Sequence, residues 1–369
     1  MKKVVSLVLA SILMLSLAGC GSNSEKTSPE PSKPASEAPA SESPSSESPV
    51  ASQPADTKEA ETYKIGVSIM ELTAYTWYQG VVDGCNDWMA ANGEKNGVKF
   101  EYDFQDSRSD VQTMLTNVEN MIAAGSKGII LFPADASSAI PTMKEYTAQG
   151  MPFVIGDYRQ ETKSEEDAVW STFVGHDMKA LGVKAGELAV EYLKTLNKDN
   201  PVCLFITRPT SGQVSADRFN GFKETVLATF PNAKIIEEGD SGAGTRDSAQ
   251  TLMENVLQRE ATIDVVSGHN DTEVVGAYNA AVAQGRNEIK FVGIAGDKDV
   301  LTWITEKNEN WIGEVLQDPV VLGYQAADAM YKALVKKEKL PADYELPEPE
   351  SITPDNVDKY DWKSWKWLG

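Results

Sequence analysis

Residues 128–157 read GIILFPADASSAIPTMKEYTAQGMPFVIGD, and the fold is decided there. Gly128–Phe132 is an unbroken apolar run of strand length, and Pro152–Gly156 is another. A strand with one wet face alternates polar and apolar residues. A run without alternation belongs to a parallel strand covered by helices on both faces. Between the two runs, Ser137–Gln149 reads as a helix with Ser137 at its start and Gly150 as its stop.

The same rhythm extends in both directions. Upstream, Lys64–Ile69 reads as a strand, 75–91 as a helix, Val98–Phe104 as a strand and 109–124 as a helix that Asp110 starts and Gly125 stops. Downstream the series restarts with a strand near Val169–Val174 and a helix over 179–195. Strands at Val202–Thr207, Lys234–Glu237, Ile263–Val266 and Lys290–Ile294 then alternate with helices over 213–230, 246–259 and 271–284. Two successive βα series predict an α/β protein of two doubly wound parallel-sheet lobes. In such sheets ligands sit beyond the carboxyl ends of the strands, so the residues just after each strand are the candidates.

The amino terminus has a different character. Lys2 and Lys3 precede an apolar run, Val4–Ala18, which is about the length of a signal-peptide core and short for a bilayer span. It ends in Leu17-Ala18-Gly19-Cys20, similar to the bacterial lipobox, in which the cysteine is acylated and becomes the first residue after cleavage. Residues 1–19 are thus expected to be a signal segment, and Cys20 a lipid anchor on the outer face of the cytoplasmic membrane. Residues 21–60 hold eleven serines, seven prolines and seven acidic residues with no aromatic. Such a segment buries too little apolar surface to offset its ordering entropy, so 20–60 reads as a disordered tether.

About 309 residues remain, enough for two lobes. The chain's net charge of −21 argues against nucleic acid and against an anionic surface as partner. Cys85 falls in the first helix and Cys203 in a strand of the second lobe, so both are expected to be unbridged. The two histidines, His176 and His269, are too far apart in sequence to suggest a metal site, and no EF-hand loop is present.

At the strand ends, Trp77 and Tyr78 open the first helix, where they serve either as core packing or as faces for a sugar ring. Asp157 and Arg159 follow the fourth strand; a carboxylate and a guanidinium suit vicinal hydroxyls, or form a surface ion pair of little worth. Asn270 and Asp271 follow the strand at 263–266, and either could cap the next helix, while the Asn270 amide, which both donates and accepts, is equally suited to a ligand hydroxyl pair. Of the two, Asp271 reads mainly as a cap. Asp297 follows the last strand of the second lobe, and Gln317 stands where the chain could return to the first. Catalytic motifs are absent from the sequence. There is no Walker sequence and no Gly-x-Ser-x-Gly elbow, and Gly242-Ala243-Gly244-Thr245-Arg246-Asp247 fails the dinucleotide fingerprint.

Several of these markers recur together in one family. Val67-Ser68, Trp77-Tyr78, Asp83-Gly84, the run from Ile129 to Asp135, the run from Pro152 to Asp157, Asn270-Asp271, Val292-Gly293 and Gln317 stand in order and at spacings that resemble the ribose- and galactose-binding family of type I periplasmic binding proteins. The resemblance covers about residues 63–336. It implies a three-stranded hinge, with crossings near Gly175–Asp177, near Gln317 and around Ile352-Thr353-Pro354. The lobes would comprise 61–176 plus 318–340, and 177–317 plus 341–369, the latter including a tail whose Trp362, Trp365 and Trp367 clamp the terminus onto a lobe. It implies ligand contacts from Trp77, Tyr78, Asp157, Asn270 and Gln317. The sequence departs from the pattern in three places. Tyr158 intervenes before Arg159, the second-lobe arginine falls near Ala216 with Arg218 two residues on, and the carboxylate after the last strand falls on Ala295 with Asp297 two residues later.

The expectation is therefore a monomeric substrate-binding lipoprotein, without cofactor or catalytic residues, that delivers a monosaccharide or polyol to an ABC permease. A sensory receptor coupled to a membrane kinase or chemoreceptor is the alternative, and an extracytoplasmic enzyme on the same scaffold is a more distant one.

Overall fold

The computed structural model describes residues 60–73, 75–157, 169–240, 244–344 and 346–368. The signal segment, Cys20 and the tether up to residue 59 lie outside them. In chain order the strands are β1 (Glu61–Ile69), β2 (Val98–Asp106), β3 (Gly128–Phe132), β4 (Phe153–Gly156), β5 (Thr172–Val174), β6 (Val202–Thr207), β7 (Lys234–Gly239), β8 (Val265–Gly268), β9 (Lys290–Ala295), β10 (Trp311–Leu316), β11 (Asp343–Tyr344) and β12 (Glu350–Ile352). The helices are α1 (Trp77–Asn96), α2 (Val111–Ala123), α3 (Ile140–Thr147), α4 (Met178–Thr195), α5 (Gly212–Thr229), α6 (Arg246–Arg259), α7 (Asp271–Ala283), α8 (Lys298–Thr305) and α9 (Pro319–Leu334).

The strands form two six-stranded sheets, ordered β11-β5-β4-β3-β1-β2 and β12-β10-β9-β8-β6-β7. All pairings are parallel except β10 with β12. β3 shows why its sequence lacks alternation. Ile130 and Phe132 pack in the core with Val81 of α1 and Leu322 of α9, while Ile129 and Leu131 pack with Met114 of α2 and Met143 of α3. Both faces are covered, so every position is apolar.

Glycines set the closest helix approaches, by the same device in each lobe. A methyl group on Gly84 would lie 2.0 Å from the Val320 carbonyl oxygen, and one on Gly323 2.1 Å from that of Val81. Between α4 and α5, a methyl on Gly182 would lie 2.0 Å from the Arg218 carbonyl oxygen. These positions exclude any side chain, and the α4–α5 contact fixes the backbone of Arg218.

The chain passes between the sheets after β5, after β10 and between β11 and β12. The sequence reading puts the third crossing near Ile352–Pro354 and all of 341–369 in the second lobe; the crossing instead lies upstream, between Tyr344 and Glu350. β5 has only three residues, and the tail completes its edge. Phe173 N donates to Ala342 O at 2.9 Å and Thr172 Oγ1 to Pro341 O at 2.8 Å, so β11 belongs to the first sheet. Cys85 in α1 and Cys203 in β6 are free and buried in different lobes, as expected. Among the described residues no helix is long and apolar enough to cross a membrane.

Candidate functional site

A cavity of about 260 Å³ lies where the carboxyl ends of the two sheets face each other. Met70, Tyr75, Trp77, Tyr78 and Asp157 line it from the first lobe. Met178, Arg208, Val214, Arg218, His269, Asn270 and Ala295 line it from the second, and Gln317 from the second crossing.

The aromatic pair is fixed through its polar edges. Trp77 Nε1 donates to Gln317 O at 3.0 Å and Tyr78 Oη to Asp157 Oδ2 at 2.7 Å. The two rings meet edge to face with centroids 5.1 Å apart. Both rings also pack against Tyr75, and both line the cavity. Asp157 stands just past β4 at φ 70°, a left-handed conformation. Burial raises its carboxyl to about 6, against the opposing effects of the Tyr78 hydroxyl and the Arg218 charge.

The second lobe brings two guanidinium groups. Arg218 Nη1 donates to His269 O at 2.5 Å and Nη2 to Gln317 Oε1 at 2.7 Å, tying α5 to the β8 loop and to the crossing. Arg208, the first residue past β6, donates through Nε to Glu273 Oε1 at 2.7 Å. Glu273 is buried in the first turn of α7, and burial raises its carboxyl. Burial, with Arg218 and Arg208 nearby, holds the His269 imidazole far below its usual range, so the ring is neutral. His176 is likewise held at about 4 by burial, while its Nε2 lies 3.1 Å from Asp318 O.

Asn270 is the N-cap of α7: its Oδ1 accepts from Thr272 N at 2.9 Å, and Glu273 completes a capping box. Its Nδ2 group has no hydrogen bond among the described residues and stands at the cavity as a donor. Asp271 is not the cap that the sequence suggests. Fully buried, it accepts from Ile294 N, Gly296 N and Asp297 N at 2.9, 3.0 and 2.8 Å, and so holds the loop after β9. That loop carries positive φ at Ala295 (143°) and Gly296 (105°). A non-glycine residue held in such a region costs on the order of 1–3 kcal/mol, which the surrounding bonds must offset.

A second carboxyl, Glu314 of β10, meets Asp271 beneath the loop. Its Oε1 accepts from the same Gly296 N at 2.7 Å. A methyl group on Gly293 would lie 1.9 Å from Glu314 Oε2 and 2.3 Å from Asp271 Oδ1, so the two oxygens converge where Gly293 lacks a side chain. Burial raises both carboxyls; the Asp297 charge adds to it at Asp271 and the Asp271 charge at Glu314. Asp271, with three backbone donors, is raised only to about 7 and Glu314 further still, so Glu314 is the one that keeps its proton as pH rises.

Of the residues singled out by sequence, Trp77, Tyr78, Asp157, Asn270 and Gln317 come together at the cavity. Arg159 lies outside the described residues. Asp297 is a correction: it caps α8 through Asp299 N at 2.8 Å and pairs with Arg246 Nη2 at 2.8 Å, facing a smaller adjoining cavity. The position carried over from the family, Ala295, is the one at the main cavity. Sequence reading passed over Arg208, Tyr75, Met178 and His269, and left Arg218 as a neighbour of the matched position. The strand-end rule alone would have found Arg208, since it follows Thr207 of β6 directly.

Comparison with known proteins agrees with this architecture. Residues 65–338 match the periplasmic binding protein domain. The chain is 28% identical over 300 residues to the xylitol-binding protein of Mycolicibacterium smegmatis, covering 80% of this chain and 79% of that one. It is also 28% identical over 226 residues to a ribose import binding protein of Bacillus subtilis, covering 61% and 68%. Among solved structures, a solute-binding protein from Mycobacterium smegmatis with bound glycerol superposes with a TM-score of 0.65 at 24% identity over 81% of this chain and 96% of that one. One from Actinobacillus succinogenes with bound D-allose gives 0.68 at 18% over 81% and 100%. At those identities the superpositions speak for the fold alone. With its two parallel sheets, its three crossings and a match over most of its length, the chain belongs to the type I periplasmic binding proteins, the family that its sequence resembles.

Proposed function

We propose that this protein captures a monosaccharide or polyol in the interlobe cavity and delivers it to an ABC permease, held at the outer face of the cytoplasmic membrane by a lipid on Cys20. The observation that carries the reading is the cavity itself. It is small, it draws on both lobes, and it sets ring surfaces beside a carboxylate, two guanidiniums and two amides. Such a lining satisfies hydroxyl groups that both donate and accept. The charges are matched in pairs, Asp157 near Arg218 and Arg208 on Glu273, which favours an uncharged ligand. The named binding roles of the xylitol and ribose relatives support the same class. The described lining residues include no serine, cysteine, threonine or lysine to act as a nucleophile, which supports binding as the reading.

A thermal-shift screen of monosaccharides, polyols and amino acids, followed by titration calorimetry, tests this reading, because a ligand that binds the folded form raises the melting temperature by mass action. Neutral polyhydroxylated compounds should stabilise the protein. A response confined to charged amino acids would overturn the proposal. Co-purification with a permease rather than a membrane kinase separates transport from sensing.

A further inference from the structure

We infer that Trp367, near the carboxyl terminus, is a strap across the two lobes that resists opening of the cleft. The family match ends at residue 338, and the tail follows it. After β12 the tail runs along the second lobe, where Trp362 Nε1 donates to Thr305 Oγ1 of α8 at 3.2 Å. It then reaches α1 of the first lobe, and Trp367 is 4% exposed there.

Glycines flank the indole on both sides. A methyl group on Gly80 of α1 would lie 3.0 Å from Trp367 Cδ1, and one on Gly296 of the loop after β9 would lie 3.1 Å from Trp367 Cη2. One edge of the ring therefore rests on the first lobe and the opposite edge on the second. Trp365 stacks on it, with centroids 5.2 Å apart and planes 14° from parallel. Trp367 also lines the adjoining cavity of about 90 Å³ together with Trp77, Asn270 and Asp297. The Gly296 seat is held by Asp271 and Glu314 through the Gly296 N–H. Lobes that rotate apart must pull the ring from one of its two glycine seats. The strap thus adds to the closed arrangement a tie that the three crossings do not supply.

The strap bears on binding only through the reading of the cleft as the ligand site, so its test needs no ligand. Hydrogen exchange of the full chain, read by mass spectrometry, would compare wild type with Trp367→Ala and Trp367→Phe. An aromatic contact of this kind has a value of roughly two- to tenfold in an opening equilibrium. Amides of 77–84 and of 294–297 should both exchange at least about threefold faster in Trp367→Ala, with Trp367→Phe between it and wild type. Should Trp367→Ala not fold, the smaller ring of Trp367→Phe must still loosen both segments together. Acceleration confined to the tail and 294–297, with 77–84 at the wild-type rate, would show a tail that serves one lobe and would overturn the strap. A failed sugar screen would leave this result standing.

Discussion

Replacing Glu314 by glutamine should stabilise the protein at neutral pH, although the wild-type residue is fully buried and accepts from Gly296 N through Oε1. In the folded chain Glu314 keeps its proton, because burial and the ionised Asp271 raise its pKa well above the ordinary value. In the unfolded chain it titrates as an ordinary glutamate, near 4.3. The folded state thus holds one more proton than the unfolded state at any pH between those two values. The stability that comes from holding it is complete below the unfolded pKa and is lost as pH rises toward the folded one, by about 1.4 kcal/mol per pH unit. Glutamine keeps the bond from Gly296 N through its oxygen, sets an amide donor toward Asp271, and takes up no proton. Above pH 5 the advantage of Glu314→Gln over wild type should therefore grow as pH rises, at a limiting slope of about 1.4 kcal/mol per pH unit. Asp157, Glu273 and Asp318 are also raised by burial, but they are common to both proteins and cancel in the difference; Asp271 is raised too, and because it faces residue 314 its titration is part of what the comparison reads. Urea unfolding of the two proteins at pH 5, 6, 7 and 8 measures that difference. A difference that stays constant from pH 5 to 8 would mean that Glu314 is ionised in the fold, and the shared-proton account would fail.

Asp157→Ala and Asn270→Ala should each weaken binding of the ligand found in the screen at least about tenfold by calorimetry, since each removes a buried polar partner. Wild-type affinity is expected to fall below pH 6 as Asp157 protonates, and an Asp157→Asn protein should lack that dependence. Burial pushes both the Cys85 and Cys203 thiols up to about 12, so Ellman's reagent should find neither in the folded protein and both after denaturation. For the proposed anchor, Cys20→Ala should abolish incorporation of labelled fatty acid; retained label would refute the lipobox reading.

The parts of the fold legible in the sequence were those set by local pattern. Unbroken apolar runs such as Ile129–Phe132 announce doubly covered parallel strands, and Gly125 and Gly150 follow their helices with the positive φ that the rule for helix stops assumes, whereas the first helix runs past the expected residue 91 to Asn96. The cavity residues nearest the strand ends, Asp157, Asn270 and Gln317, were legible for the same reason. Long-range facts were not. β11 joins the first sheet because a three-residue edge strand needs a partner, and two residues of tail carry no pattern that says so. Arg218 enters the cavity because Gly182 and Gly221 let α4 and α5 close on each other, a contact between positions far apart in the chain.

The loop after β9 shows how a departure from a family pattern can relocate a charge rather than remove it. Where the family resemblance leads one to expect a carboxylate in the cleft, Ala295 presents a methyl group at φ 143°. Two carboxyls lie beneath it instead, sharing a proton and gripping the Gly296 N–H that the strained turn exposes. The second lobe therefore faces the cavity with guanidinium donors and no carboxylate among the described lining residues, while the first lobe supplies Asp157. A ligand bridging the lobes would meet its acceptor partner on one side and its charged donors on the other. That division makes the two halves electrostatically complementary only when they stand together, so removal of the Asp157 charge should cost affinity through closure as well as through direct contact.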